Sequence, residues 1–176
     1  MRYRITSKFN AVEDIRDHVH KGIDYATPKG TPLYNMKDGV VTKVTDYQGV
    51  NIGKGVIIKW EDGKTAIYGH LDSVSVKVGD VLHKGSLIGY SGNTGSVAGK
   101  NGGYHLHFAI KENGQFIDPM PYNHLIQNMQ HMDAPIQKAS MDSGEIFKQG
   151  MSMFQEQMSD MLINYSMFIK NFHHFF

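Results

Sequence analysis

The chain has 176 residues, with 18 Lys+Arg against 17 Asp+Glu (net charge +1), 10 His, 11 Met, 19 Gly and no Cys. So even a balance argues against a nucleic-acid binder, which needs a basic stripe to neutralise phosphates. The lack of Cys excludes disulfides, thiolate nucleophiles and Cys-ligated zinc, so any metal must sit on His and carboxylates.

The length allows one ordinary domain plus an appendage. Met1-Arg2-Tyr3-Arg4 is basic, but no apolar segment follows it, which reads against a secretory signal peptide. No run approaches the roughly 18 apolar residues of a membrane-spanning helix.

The first cluster of interest is His20-Lys21-Gly22-Ile23-Asp24. A straight strand would hold His20 and Asp24 about 13 Å apart, too far for one ion. A helix would bring them together, but Gly22 within and Pro28 beyond disfavour one. A bend at Gly22 is needed if the two share a metal; otherwise Asp24 simply holds His20 in a turn.

Short β-branched and aromatic runs follow: Val40-Val41-Thr42-Lys43-Val44-Thr45, Val56-Ile57-Ile58-Lys59-Trp60 and Thr65-Ala66-Ile67-Tyr68. Glu61-Asp62-Gly63-Lys64 joins the last two as a hairpin. His70 follows directly at a strand end, where a lone His is either structural or catalytic. Further on, His105-Leu106-His107 lies in an apolar-alternating run. On a strand these two histidines share a face with Cα atoms roughly 6.6 Å apart, while Leu106 and Phe108 point into a core. Two imidazoles so spaced can reach one metal, or one can bind it while the other faces its open position. Asn113-Gly114 marks a hairpin between His105–Lys111 and Gln115–Ile117. His18, His83, His124, His131, His173 and His174 form no constellation and read as solvated or structural. The pattern predicts a mostly β, compact antiparallel sheet domain with no helix before residue 123.

Composition changes near residue 123. The last 53 residues hold only two of the 19 glycines, Gly144 and Gly150, but 8 of the 11 methionines. Phe147, Met151, Phe154, Met158, Met161, Tyr165, Phe168 and Phe172 step by four and three, a heptad stripe that predicts a helix with Ser143 at its start. The domain reading is therefore residues 1–123 as the β domain and 124–176 as a Met-rich helical tail. Residues 143–172 are a candidate surface for self-association or for a partner.

Taken together, the motifs resemble the lysostaphin/LytM-type zinc metallopeptidases, endopeptidases that cut peptide links in bacterial peptidoglycan. The matching text begins with His20-Lys-Gly-Ile-Asp24-Tyr-Ala, Pro28-Lys-Gly30-Thr-Pro-Leu, Asp38-Gly-Val-Val and Ile67-Tyr-Gly-His70-Leu. It continues with Val78-Gly-Asp-Val81-Leu-His-Lys-Gly85, Ile88-Gly-Tyr-Ser-Gly-Asn-Thr-Gly95, His105-Leu-His107-Phe and Asp118-Pro119. Order and spacing hold across residues 5–121. The resemblance implies an open groove on the sheet, His20, Asp24 and His107 as ligands of Zn2+, and His70 and His105 as the catalytic pair. All five positions are intact. Three N/O ligands plus a water is the arrangement of a catalytic zinc, and with no His-Glu-x-x-His helix the base is a histidine. The family usually carries Gly-x-Arg after Ser-x-Phe; this chain has Ser7-Lys-Phe9-Asn10-Ala11-Val12, so the cleft border is expected to differ. The Gly-rich stretch Ser91 to Gly103 is expected to line the groove.

The function this implies is hydrolysis of a cross-bridge or stem peptide in peptidoglycan, acting at the cell wall from a phage or mobile element. The alternatives are a catalytically silent wall-binding or hydrolase-activating module and a structural virion component such as a tail tip. A further rival is a cupin-like metal site built on His105, His107 and Glu112.

Overall fold

The computed structural model describes residues 2–12, 18–47, 49–97 and 103–129. The heptad stripe and the candidate contact surface at residues 143–172, with His131, His173 and His174, lie outside the described residues.

Every strand pairing is antiparallel. The large sheet contains β1 (Ile5–Ser7), β2 (Ile23–Ala26), β4 (Gly39–Asp46), β5 (Lys54–Trp60), β6 (Thr65–Gly69), β8 (Val81–Leu82), β10 (His105–Glu112) and β11 (Gln115–Ile117). Its order is β1-β2-β10-β6-β5-β4-β8, with β11 hairpinned onto β10. A small sheet of β3 (Pro32–Tyr34), β9 (Leu87–Ser91) and β7 (Leu71–Val74) runs in the order β3-β9-β7. A 3-10 turn, Met120–Tyr122, leads into the helix α1 (Asn123–Asn128). The hairpins expected at Glu61–Lys64 and at Asn113-Gly114 form as β5–β6 and β10–β11. Among the described residues no helix is long and apolar enough to cross a membrane.

Strand alternation divides the large sheet into two faces. Ile23, Tyr25, Val56, Ile58, Trp60, Tyr68, Leu106, Phe108 and Ile110 are fully buried and pack with Leu33, Leu71 and Ile88 of the small sheet. At roughly 1.5–3 kcal/mol for each large apolar side chain removed from water, this layer is the main stabilising element. Its sole tryptophan, Trp60, donates its indole N–H to Oδ1 of Asn35 at 3.2 Å, so a buried polar atom is satisfied. The core continues past residue 123, because Ile126 and Met129 are both buried in it.

The opposite face carries the residues between those core positions. His105, His107 and Asp24 are therefore presented together on the open side. The register makes this exact to the residue: His107 stands opposite Asp24 of β2 and opposite Gly69 of β6. The periodicity that buries Leu106 and Phe108 is what turns the two histidines outward.

Candidate metal centre and active site

Three side chains converge at one end of the open face. Nδ1 of His107 lies 2.9 Å from Oδ1 of Asp24, Nε2 of His20 lies 3.1 Å from the same oxygen, and the two ring nitrogens are 3.1 Å apart. The distance that a straight strand would put between His20 and Asp24 is removed by a bend at Gly22, just before β2. Gly22 also makes room: a Cβ there would stand 2.6 Å from Cε1 of His107 and 2.6 Å from the Phe108 carbonyl oxygen.

The hydrogen bonds around His20 fix which of its nitrogens faces the cluster. Its Nδ1 lies 3.0 Å from the Lys8 carbonyl and 2.8 Å from Ser7 Oγ. A carbonyl only accepts, so Nδ1 carries the hydrogen and Nε2 turns a lone pair toward Asp24 and His107. Burial pushes the His107 imidazole below its usual range. Burial by itself would raise the Asp24 carboxyl, but hydrogen bonds to His107 and His20, with the His107 and His105 rings nearby, hold it well below the carboxylate range. An ionised carboxylate and two imidazole nitrogens, all buried and within about hydrogen-bond distance of one another, form a donor set that a cation satisfies. In a tetrahedral site with ligand bonds of 2.0–2.2 Å, ligand atoms stand about 3.3 Å apart, which this triangle nearly matches. One ligand atom from each of His20, Asp24 and His107 lies within 4.8 Å of the others, and the three residues fit a metal ion.

Beside the triangle stand His70 and His105, with ring centroids 4.5 Å apart. His70 Nδ1 meets the Thr94 carbonyl at 2.7 Å and His105 Nδ1 meets the Gly103 carbonyl at 2.6 Å. Both carbonyls can only accept, so both rings carry hydrogen on Nδ1 and leave Nε2 as an acceptor. Nε2 of His105 is buried without a hydrogen-bond partner and lies 3.8 Å from Oδ2 of Asp24. An orphaned acceptor of this kind marks where another molecule belongs. Burial, with His105 and His107 adjacent, pushes His70 down to about 3, so its ring is neutral at neutral pH.

A groove of about 730 Å³ runs over the cluster, lined by His20, Asp24, His70, His105 and His107 and flanked by Ser96, Val97 and Phe116. His18 lies on its border, a position that the sequence pattern did not signal. His83 is exposed beside Asp38 at 3.6 Å, and His124 Nδ1 bonds the Pro121 carbonyl at 3.1 Å, both away from the groove. Ser7, Lys8, Thr94 and Gly103 orient the histidines, a role that the motif text containing Ser7 and Thr94 did not signal and that follows from the fold. The segment after Ser7 is tied to His20 by backbone bonds, Asn10 N to His20 O at 2.9 Å and His20 N to Ala11 O at 3.0 Å. Glu112 stands at the far end of β10 and pairs with Lys64 at 3.0 Å, so the cupin-like set is not assembled.

Comparison with known proteins identifies the family. Over 126 residues the chain is 34% identical to the peptidoglycan DD-endopeptidase ShyA of Vibrio cholerae, covering 69% of this chain and 28% of that protein. It is similar to the catalytic domain of the prophage-encoded M23 protein EnpA from Enterococcus faecalis (A109H mutant), with 31% identity, a TM-score of 0.58 and coverage of 68% of this chain and 91% of that one. A zinc containing peptidase from Vibrio cholerae matches with 32% identity, a TM-score of 0.59 and coverage of 68% and 36%. The chain spans 20–31% of the length of the curated relatives it matches. The model of peptidase family M23 matches residues 18–119, from just before the first buried histidine to the residue that follows Asp118. As the lysostaphin-like order of its histidine motifs anticipated, the chain belongs to peptidase family M23.

Proposed function

We propose that the chain is a zinc-dependent endopeptidase that hydrolyses peptide bonds in bacterial peptidoglycan. The observation that carries this reading is the convergence of the His20, Asp24 and His107 ligand atoms beside two histidines whose Nε2 atoms are left as acceptors. His20, Asp24 and His107 would hold the metal. Bound there, zinc supplies a Lewis acid that polarises the scissile carbonyl and brings a water close to ionisation near neutral pH.

The side chains account for the rest. His70 enters the reaction neutral, and both rings have Nδ1–H tied to a backbone carbonyl, which leaves Nε2 facing the reaction. One of them takes the proton of the attacking water at Nε2. The other, once it has taken a proton at Nε2 from solvent in the groove, donates to the developing oxyanion or to the leaving amine. Because both rings are held by main-chain carbonyls, proton transfer requires no prior side-chain search.

The cell wall is the proposed place of action. A phage or mobile-element setting draws support from the likeness to the prophage-encoded EnpA. The test is digestion of purified cell wall, with and without a chelator, with products identified by mass. Solubilisation that is lost with chelator and regained with zinc is expected, with new amino termini at a cross-bridge or stem peptide. Full activity in chelator with no bound metal would refute the proposal.

A further inference from the structure

His70 occupies an unusual place in the chain. It is the single residue between β6 of the large sheet and β7 of the small sheet. Its φ is +63°, in the left-handed region that side chains other than glycine seldom adopt. Such a conformation persists only where its surroundings over-determine it. Here the backbone N–H of His70 donates to the Ile52 carbonyl at 2.8 Å, while its ring Nδ1–H donates to the Thr94 carbonyl at 2.7 Å.

Thr94 is itself held on two sides. Its hydroxyl donates to the Leu71 carbonyl at 2.7 Å and accepts the Lys54 backbone N–H at 2.9 Å. Leu71 directly follows His70 and opens β7, and Lys54 opens β5, so one hydroxyl ties the loop that carries the accepting carbonyl to β7 and to β5. Next to it Gly53 and Gly95 press backbone on backbone, both with positive φ (+56° and +82°), and a Cβ on either would strike the other. Ser96 N bonds the Asn51 carbonyl at 2.8 Å, which closes the loop onto the β4–β5 connection.

We propose that Thr94 is a positioning residue for the reaction, whose hydroxyl clip fixes the carbonyl that keeps the proton on Nδ1 of His70 and leaves Nε2 aimed at the groove. The proposal rests on the reading of His70 as a proton carrier. Without the clip the carbonyl shifts, the ring is free to turn or to exchange its proton between nitrogens, and Nε2 is presented as an acceptor only part of the time. A purely structural Thr94 would affect stability alone.

The test uses the full chain loaded with zinc. Long-range proton–nitrogen spectra of the histidine rings at neutral pH report the tautomer, and the His70→Ala variant identifies the His70 signals. Nδ1–H on His70 is expected in the unsubstituted protein and in Thr94→Ser, with both tautomers populated in Thr94→Val. In wall-peptide hydrolysis Thr94→Val is expected to lose kcat by about 10- to 100-fold with KM changed by less than about twofold, while Thr94→Ser restores it. Zinc content is unchanged in all three. A hydrogen on Nε2 of His70 in the unsubstituted protein overturns the proposal, even if Thr94→Val does not fold. So does Thr94→Val with unaltered kcat and unaltered tautomer. If no wall peptide is cut by any form, the functional reading fails, and the ring spectra still decide the role of Thr94.

Discussion

His107 and Asp24 stand directly opposite each other across β10 and β2, and their side chains meet at 2.9 Å on the open face of the sheet. One register position thus sets the tightest contact of the cluster. A slip of β10 by one residue in this pairing would send His107 to the core face, away from Asp24, and bring Phe108 out to the open face.

Asp24→Asn keeps the shape but removes the negative charge and one acceptor from the triangle. The fold survives, because the core on the other face is unchanged. Zinc affinity is expected to fall by more than about 100-fold, since a ligand rather than a supporting contact is lost. Competition with a chromophoric chelator measures this, and an unchanged affinity would remove Asp24 from the metal site.

His70→Ala separates proton transfer from metal binding. Its ring is not part of the triangle, so zinc content is expected to remain at one per chain. Turnover is expected to fall by about 10²- to 10⁴-fold, the usual contribution of a positioned acid or base. Measuring zinc and turnover on one preparation distinguishes this from misfolding.

Gly22→Ala tests the close approach between the segment before β2 and the His107 ring. The added methyl would meet His107 Cε1 and the Phe108 carbonyl, each at 2.6 Å. Overpacking of this kind costs about 1–3 kcal/mol. The variant is expected to show a lower Tm and weaker zinc binding together, because the same displacement opens the triangle. A lower Tm with intact zinc affinity would show that the two sites are not coupled.

Alkaline titration probes the core. Tyr25 and Tyr68 are fully buried, and burial pushes both phenols above their ordinary range, with the charge of Asp118 adding to this at Tyr25. Each is neutral when folded and ionises when unfolded, so the unfolded chain releases protons that the folded chain keeps. Stability is therefore full below pH ~10 and declines as the pH rises above it. Tyrosinate absorbance, compared between the chain and its Tyr25→Phe and Tyr68→Phe variants, should show these two phenols ionising only as the chain unfolds. Ionisation of either phenol in the folded state would contradict this.

Much of the site was legible because it is written in alternation. His105-Leu106-His107-Phe108 specifies a strand with two histidines on one face and two apolar residues on the other, and β10 has this pattern. The His20–Asp24 pair was legible only as a choice between a shared ion and a turn. A bend at one glycine brings the two side chains together, and a bend depends on tertiary contacts such as the His107 ring against Gly22. The short strands β1, β3, β7, β8 and β9 were not anticipated, since segments of two to five residues carry too little periodicity to separate them from loops. The partners of the histidine rings were invisible for another reason. Lys8, Thr94 and Gly103 act through main-chain carbonyls, which every residue type has. The groove position of His18 likewise follows from where the segment before β2 is laid, not from its neighbours in sequence.

The most direct test of the central claim is anomalous diffraction at the zinc edge from crystals of the zinc-loaded chain. A single strong peak about 2.0–2.2 Å from His20 Nε2, an Asp24 carboxylate oxygen and His107 Nδ1, with its fourth position open to the groove, is the predicted result. A peak elsewhere, or one whose fourth ligand is a protein side chain, would contradict a catalytic zinc at this site.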